Sequence, residues 1–180
     1  MENPARPTPG PLRLDLGGGR RPKEGFTNVD VLDAPGVVRC DFSRERLPFA
    51  DDSVAEVYSS HCLEHLDNHH HVLHEIVRVC RPGASVELRV PHWLSAMAHC
   101  AGHRCTIAPH QVQHWCQDFL HDWWQGSAKR LAHVRTEYER GPAFDEAKKL
   151  FFQMTDEQVL RFVPDACHEV RYFFEVVPYA

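Results

Sequence analysis

The chain has 180 residues, 43% of them apolar, and a net charge of 20 − 25 = −5 with its 14 histidines neutral. That length fits one domain with a core of its own and no second full domain, and the absence of a Lys/Arg block excludes the phosphate-neutralising footprint of a nucleic-acid binder. No run of eighteen apolar residues is present, the proline-rich start lacks the apolar stretch of a secretory signal, and seven cysteines without a CxxC pair argue against a disulfide framework; a cytoplasmic protein with reduced thiols, no membrane span and no nucleic-acid partner is expected.

Residues 1–11 hold four prolines and a glycine and are expected to form a flexible lead-in. Leu12, Leu14 and Leu16 then alternate with Arg13 and Asp15, as in a short strand, before Gly17-Gly18-Gly19. Three glycines let the backbone turn sharply and approach a ligand without Cβ interference, although such a run also makes an ordinary turn. Phe26–Val31 reads as a second strand carrying Asp30, and Val37–Asp41 as a third ending in Asp41. The links between these strands are shorter than the usual parallel crossover, so the first helices are expected to be stunted or absent.

Val54–Ser60 reads as a fourth strand, followed directly by His61. Asp67 or Asn68 can cap a helix whose apolar positions Val72, Leu73, Ile76, Val77 and Cys80 recur at helical spacing, and Arg81-Pro82-Gly83 should stop it. Val86, Leu88 and Val90 mark a fifth strand, closed by Pro91 and His92. From Pro109 to Trp124 one apolar helical stripe contains Val112, Trp115, Cys116, Phe119, Leu120 and Trp123, which assigns Trp115 and Trp123 to the core and leaves Trp93 and Trp124 free to meet a ligand. Arg130–Arg140 can be a sixth strand, Phe144–Gln153 and Asp156–Arg161 look helical, the latter opened by a Thr155/Gln158 capping box, and Val170–Val177 makes a last strand.

In an open α/β sheet ligands bind beyond the carboxyl ends of the strands, so the glycine loop, Asp30 and Asp41 should converge on one crevice. That donor set suits an adenosine: one carboxylate can accept ribose hydroxyls and another an exocyclic amine.

In their order, LDLGGG, NVDV, CDF-x5-LPFADDSV, VYSSHCLEHL and LHEIVRVCRPGASVELRVP resemble the class I S-adenosylmethionine-dependent methyltransferases, in the small branch resembling methyltransferase type 11. The resemblance spans roughly residues 12–92. It departs from the pattern at Gly18, where cysteine is often found, and at RPGA, which replaces the commoner PGG turn. It implies a Rossmann-like α/β fold with a mostly parallel sheet, an antiparallel last strand and shortened early helices. Within a single domain over 12–180, it implies a cofactor half at 12–92, a substrate lid and helices at 93–166, and the last strand at 167–180.

The resemblance further implies that Asp15, Gly17, Gly18 and Gly19 surround the methionine part of S-adenosylmethionine, that Asp30 holds the ribose, that Asp41 and Phe42 lie against the adenine, and that Ser60 and His61 line the floor under the sulfonium. The expected reaction is an in-line displacement onto a small-molecule acceptor, a planar heterocycle among the candidates, by an enzyme that is a monomer or homodimer. A nucleotide-dependent oxidoreductase and a non-catalytic cofactor-binding protein are the alternatives; LDLGGG lacks the full GxGxxG spacing of a dinucleotide site.

If the acceptor must lose a proton, His65, His92 and His103 are the candidate bases, since imidazole titrates near neutrality. His103 lies in AGHRCTIAP, which resembles a segment after the fifth strand in related methyltransferases. Tyr58 and Glu64 are weaker candidates, Tyr58 expected within the sheet and Glu64 exposed or bonded to backbone. Between His92 and His121 lie six histidines and three cysteines, with His110, His114 and His121 on one helical stripe, but without CxxC or HExxH no metal site is assigned.

Overall fold

The structure, a computed structural model, describes residues 10–116 and 123–179. Seven strands make one sheet: β1 (Leu12–Leu16), β2 (Thr27–Asp30), β3 (Val37–Arg39), β4 (Val54–Ser60), β5 (Cys80–Pro91), β6 (Lys129–Arg140) and β7 (Cys167–Pro178). Their spatial order is β3-β2-β1-β4-β5-β7-β6, parallel from β3 to β5 and antiparallel at β5/β7 and β7/β6. The helices are α1 (His69–Val79), α2 (Pro109–Cys116), α3 (Phe144–Leu150) and α4 (Asp156–Phe162), with 3-10 turns at Leu63–His65 and Ala96–His99. Among the described residues no helix is long and apolar enough to cross a membrane.

No helix interrupts the chain between β1 and β4. As the short links required, the parallel strands on this side are joined by loops. One face of the sheet is apolar and buried: Leu14, Val57, Val86 and Phe174 lie in register across four strands, and Leu16, Leu88, Tyr172 and Val176 extend the same core. The other face carries Arg13, Glu56, Tyr58, Glu87, Arg89 and Arg171, all half-buried. Parallel sheets usually have both faces covered by helices. Here the loop after β1 lays Lys23 over the Tyr58 ring at 4.0 Å and the Phe26 ring at 4.6 Å, with its Nζ 3.5 Å from Glu87, and a layer of cation–π contacts and ion pairs takes the place of a helix.

Helix α1 forms because Asn68 accepts the His71 N–H at 3.2 Å and Val72, Leu73, Ile76 and Val77 fall on one buried face. β5 begins directly at Cys80: Pro82 and Gly83, expected to end the helix, lie within the strand as an irregularity, where Val54 pairs with Cys80 but Glu56 pairs with Ser85. The capping box at Thr155/Gln158 is present and opens α4. The long helix expected over 109–124 is described only as α2, and Phe119, Leu120 and His121 lie outside the described residues.

Trp124 corrects an expectation. Its ring is fully buried, its indole N–H donates to Trp115 O at 2.8 Å, and the His74 ring stacks on it at 4.9 Å, so it belongs to the core with Trp115. A helical stripe extended across residue 124 could not show this, because the chain turns at 123–126.

One polar staple ties α1 to the loop before β4. Glu75, 6% exposed, accepts the Leu47 N–H at 2.7 Å and two N–H bonds from Arg78, each 2.7 Å; Arg78 also donates to Leu47 O and Phe49 O. Burial alone would raise the Glu75 pKa, but Arg78 and the Leu47 N–H outweigh it and hold the carboxyl below its ordinary value of 4.5. The folded value being depressed, this stabilisation is complete above the ordinary carboxylate range and is lost as pH falls through 4.5 and below. Arg78→Ala, which leaves Glu75 buried with the Leu47 N–H and the more distant Arg46 guanidinium at 3.7 Å, should cost about 2–3 kcal/mol near pH 7 in urea denaturation. The gap to the parent protein should narrow as the pH is lowered below 4.5.

Candidate functional site

The carboxyl ends of β1, β2 and β4 meet around the glycine loop. Gly17 has φ +77°, its N–H donates to Val29 O at 2.8 Å, and a Cβ at this position would lie 2.4 Å from Cys62 Sγ. A Cβ on Gly18 would lie 2.6 Å from both Asp15 Oδ2 and Asn28 Oδ1. Close approach therefore requires glycine at both positions, and at Gly17 the positive φ requires it as well. Asp15 is buried beneath the loop, where its Oδ2 accepts the Lys23 N–H at 2.7 Å; burial raises its pKa against that bond. It supports the loop from below.

Asp30 closes the loop from the other side. Its carboxylate accepts N–H bonds from Gly19 and Leu32, each 2.9 Å, while the Asn28 side-chain amide donates to Gly19 O at 2.8 Å. Two N–H bonds leave lone pairs on the Asp30 oxygens for a further donor. Asp41 accepts from its neighbour Ser43, from Oγ at 2.5 Å and from N at 3.3 Å.

A cavity of about 280 Å³ opens here, walled by Gly17, Asp30, Asp41, Phe42, His61 and His65 among others. Six of the residues expected at the site thus share one cavity. Asp15, Gly18 and Gly19 support its wall, and Ser60 lies outside the lining. Val31, Ser43, Cys62 and Leu66 complete the wall. None was expected from the sequence, though each adjoins or nearly adjoins a residue that was. Val31, 61% exposed directly after Asp30, is an apolar platform at the cavity edge. Cys62 offers no nucleophile, since burial pushes its thiol up to about 12.

His61 sits at the end of β4 with φ +50°, its N–H donating to Arg89 O at 3.0 Å. Its Nε2–H donates to Glu169 Oε2 at 3.0 Å, and its Nδ1 lies 3.3 Å from Glu64 Oε1. The bond to Glu169 and then the Glu64 carboxylate beside the ring outweigh burial and raise the imidazole pKa to about 9, so it is a cation at neutral pH. Glu169 is held down to about 2 by His61 and Arg171 despite its burial. This partnership spans 108 residues, and no local signal announces it.

The three candidate bases part company. His65 is exposed on the cavity wall, and its ring meets that of His103 edge-on with centroids 4.7 Å apart. His92 is fully buried, outside the cavity lining, with its ring 3.8 Å from that of Trp93; its Nδ1 accepts the Leu94 N–H at 3.2 Å, and burial pushes its pKa down to about 4. Glu64, expected to be exposed or backbone-bonded, is 1% exposed and neither carboxylate oxygen has a hydrogen-bond partner among the described residues. The histidines that open α1 have structural roles: His69, His71 and His74 donate to Leu63 O, Glu45 O and Trp123 O at 2.9, 3.0 and 2.8 Å.

Residues 22–88 match a family described as a methyltransferase domain. No curated protein sequence matches the chain. Among solved structures, a S-adenosylmethionine-dependent methyltransferase from Archaeoglobus fulgidus is 14% identical with a TM-score of 0.64, covering 92% of this chain and 86% of that one. A chain of the Haloferax volcanii complex containing the Trm112 methyltransferase activator is 18% identical with a TM-score of 0.57, covering 95% and 83%. Phosphoethanolamine N-methyltransferase 2 of Haemonchus contortus, solved with phosphomonomethylethanolamine and S-adenosylhomocysteine, is 16% identical with a TM-score of 0.51, covering 94% of this chain and 49% of that one.

The approach of Gly17 to Cys62 gives a direct test of the loop. Gly17→Ala should cost about 2 kcal/mol or more by chemical denaturation, combining a left-handed backbone with the clash. Adding Cys62→Gly should recover the clash and leave the backbone strain of about 1–2 kcal/mol.

Proposed function

We propose that the chain is a class I S-adenosylmethionine-dependent methyltransferase that methylates a small molecule at the cavity beyond β1, β2 and β4. The observation that carries this reading is the convergence of a Cβ-free loop, a ribose-type carboxylate at Asp30 and an apolar wall at Val31, Phe42 and Leu66 around one space. The residues present fit the cofactor. The glycines admit a ligand to the backbone, Asp30 retains lone pairs for two hydroxyls, and the apolar wall beside Asp41 suits a purine.

When bound, S-adenosylmethionine supplies a methyl group on a sulfonium, an excellent leaving group, to a nucleophilic N, O, S or C. What remains for the protein is alignment. Asp15 and Asn28 fix the loop, Asp30 fixes the sugar, and Asp41 with Phe42 fixes the base, so that the methyl group faces the acceptor in one orientation. His61, already protonated and held between two carboxylates, does not take up a proton at neutral pH and acts as a rigid polar floor with Gly17 and Cys62. Of the three imidazoles considered for proton removal only His65 borders the cavity; His92 is enclosed away from it, and His103 reaches it only through its contact with the His65 ring.

Residues 12–92 then form the cofactor half and 93–166 the acceptor half of one domain, which β7 completes. Trp93, half-buried with its ring tilted against that of His92, is the aromatic residue of the acceptor half that we assign to a planar acceptor. We propose a cytoplasmic monomer or homodimer.

Isothermal titration should show binding of S-adenosylmethionine and S-adenosylhomocysteine and none of NADH or NADPH; the reverse preference would return the oxidoreductase reading. Asp30→Ala should weaken S-adenosylmethionine binding by about a hundredfold or more, the loss of two charge-assisted hydrogen bonds, while circular dichroism stays unchanged. Unaltered affinity in that variant refutes the ribose role. Release of S-adenosylhomocysteine with candidate acceptors separates an enzyme acting on small molecules from a protein that only binds the cofactor.

A further inference from the structure

We infer that Glu64, His65 and His103 form a binding site for a divalent transition-metal cation of the zinc class at the edge of the cofactor cavity. One ligand atom from each of the three lies within 4.8 Å of the others. Two imidazoles and one carboxylate are a donor set used by open zinc and iron sites, in which three protein ligands leave a position for a small molecule.

The surroundings of each residue are those of a ligand. The Glu64 carboxylate is buried, with neither oxygen hydrogen-bonded; His61 Nδ1 lies 3.3 Å from Oε1, and no charged group approaches Oε2 within ion-pair distance among the described residues. A buried carboxylate oxygen without a donor is costly, and a cation would satisfy it. His65 Nδ1 lies 3.1 Å from Gly102 O and His103 Nδ1 lies 3.4 Å from Ala98 O. A carbonyl only accepts, so in each ring Nδ1 carries a proton, and in the neutral tautomer this sets, Nε2 is the nitrogen that offers a lone pair to an ion. This backbone anchoring is how metal-binding histidines are commonly oriented.

The chain brings the three together without the ion. Glu64 and His65 are adjacent in the 3-10 turn after β4, and the loop carrying His103 is pinned to that turn by Arg104 N–H donating to Glu64 O at 2.7 Å and by the Arg104–Asp67 ion pair at 2.7 Å. His65 is exposed and lines the cofactor cavity, so an ion has a path in from solvent and faces the space where the acceptor approaches. Resting on the reading of that cavity as the cofactor site, this gives the ion a substrate class: acceptors bearing an oxygen or nitrogen donor able to bind it. His65 and His103 are then ligands, and proton loss from the acceptor is eased by the ion.

The chain carries 14 histidines, so the test must separate this site from incidental binding. Chelator-treated protein is titrated with Co²⁺, followed by its visible ligand-field bands, and with Zn²⁺ in competition. One equivalent is expected to bind, and His65→Ala, His103→Ala and Glu64→Gln should each weaken it more than about a hundredfold, beyond the loss for an outer-shell partner. His103→Ala, in a loop, should keep the parent circular dichroism even if Glu64→Gln does not. The pair His110→Ala/His114→Ala, whose rings meet edge-on on α2, should leave binding unchanged. Absence of binding, or binding that survives His103→Ala and is lost in the α2 pair, overturns the inference. S-adenosylmethionine titrations on the same variants keep the two readings apart: loss of Co²⁺ binding with cofactor affinity intact is expected for His103→Ala, whereas failure of the parent protein to bind the cofactor bears on the proposed function alone.

Discussion

The whole site depends on one close approach, that of the Gly17 backbone to Cys62. With a Cβ at position 17 only 2.4 Å from Sγ, the end of β1 and the turn after β4 could not share a wall. Everything at the cavity is referenced to that contact. Gly17 N–H is bonded to Val29 O, which sets β2 and hence Asp30, while Cys62 leads directly into the turn holding Glu64 and His65. A ligand seated there lies against backbone rather than against side chains that can rotate away.

The early half of the fold shows what happens when crossover helices are missing. Parallel strands need their faces covered, and a chain with so short a link between β1 and β2 cannot supply a helix to do it. The face is instead built from residues that tolerate water on one side: Arg13, Lys23 and Arg89 extend over Phe26 and Tyr58, and Glu56 and Glu87 balance their charge. Such a layer contributes less per residue than a buried apolar helix, since its ion pairs are partly solvated. The stability of the domain must rest mainly on the opposite face, where buried side chains from β1, β4, β5 and β7 lie in register.

Much of this was legible in the sequence where the determinant is local. Alternation at Leu12–Leu16 and Val54–Ser60 gave strands with those bounds, and Thr155 with Gln158 announced α4. The convergence of Gly17, Asp30 and Asp41 followed from the general position of ligands in α/β sheets. Where partners are far apart in the chain the sequence was silent. His61 is paired with Glu169 on the last strand, Glu64 is buried by packing that no periodicity encodes, and His92 looked like His61, each ending a strand, yet one borders a cavity and the other is enclosed beneath Trp93. Trp124 failed for a related reason, because a helical wheel says nothing once the chain has turned.

The His61–Glu169 bond also explains why the last strand matters to a site built almost wholly from the first half of the chain. β7 pairs antiparallel with β5, placing Glu169 opposite Pro91 at the end of the sheet from which the cavity opens. From there its carboxylate, fixed by Arg171 at 2.7 Å, reaches back to the ring at the end of β4. A left-handed backbone at a histidine is strained, and a ring held by two carboxylates on different elements is a means of maintaining it. The orientation of His61, and through Glu64 the position of His65, is therefore set by a residue more than a hundred positions away. In this fold the C-terminal strand does more than complete the sheet: it supplies the charge that keeps the floor of the cavity in place.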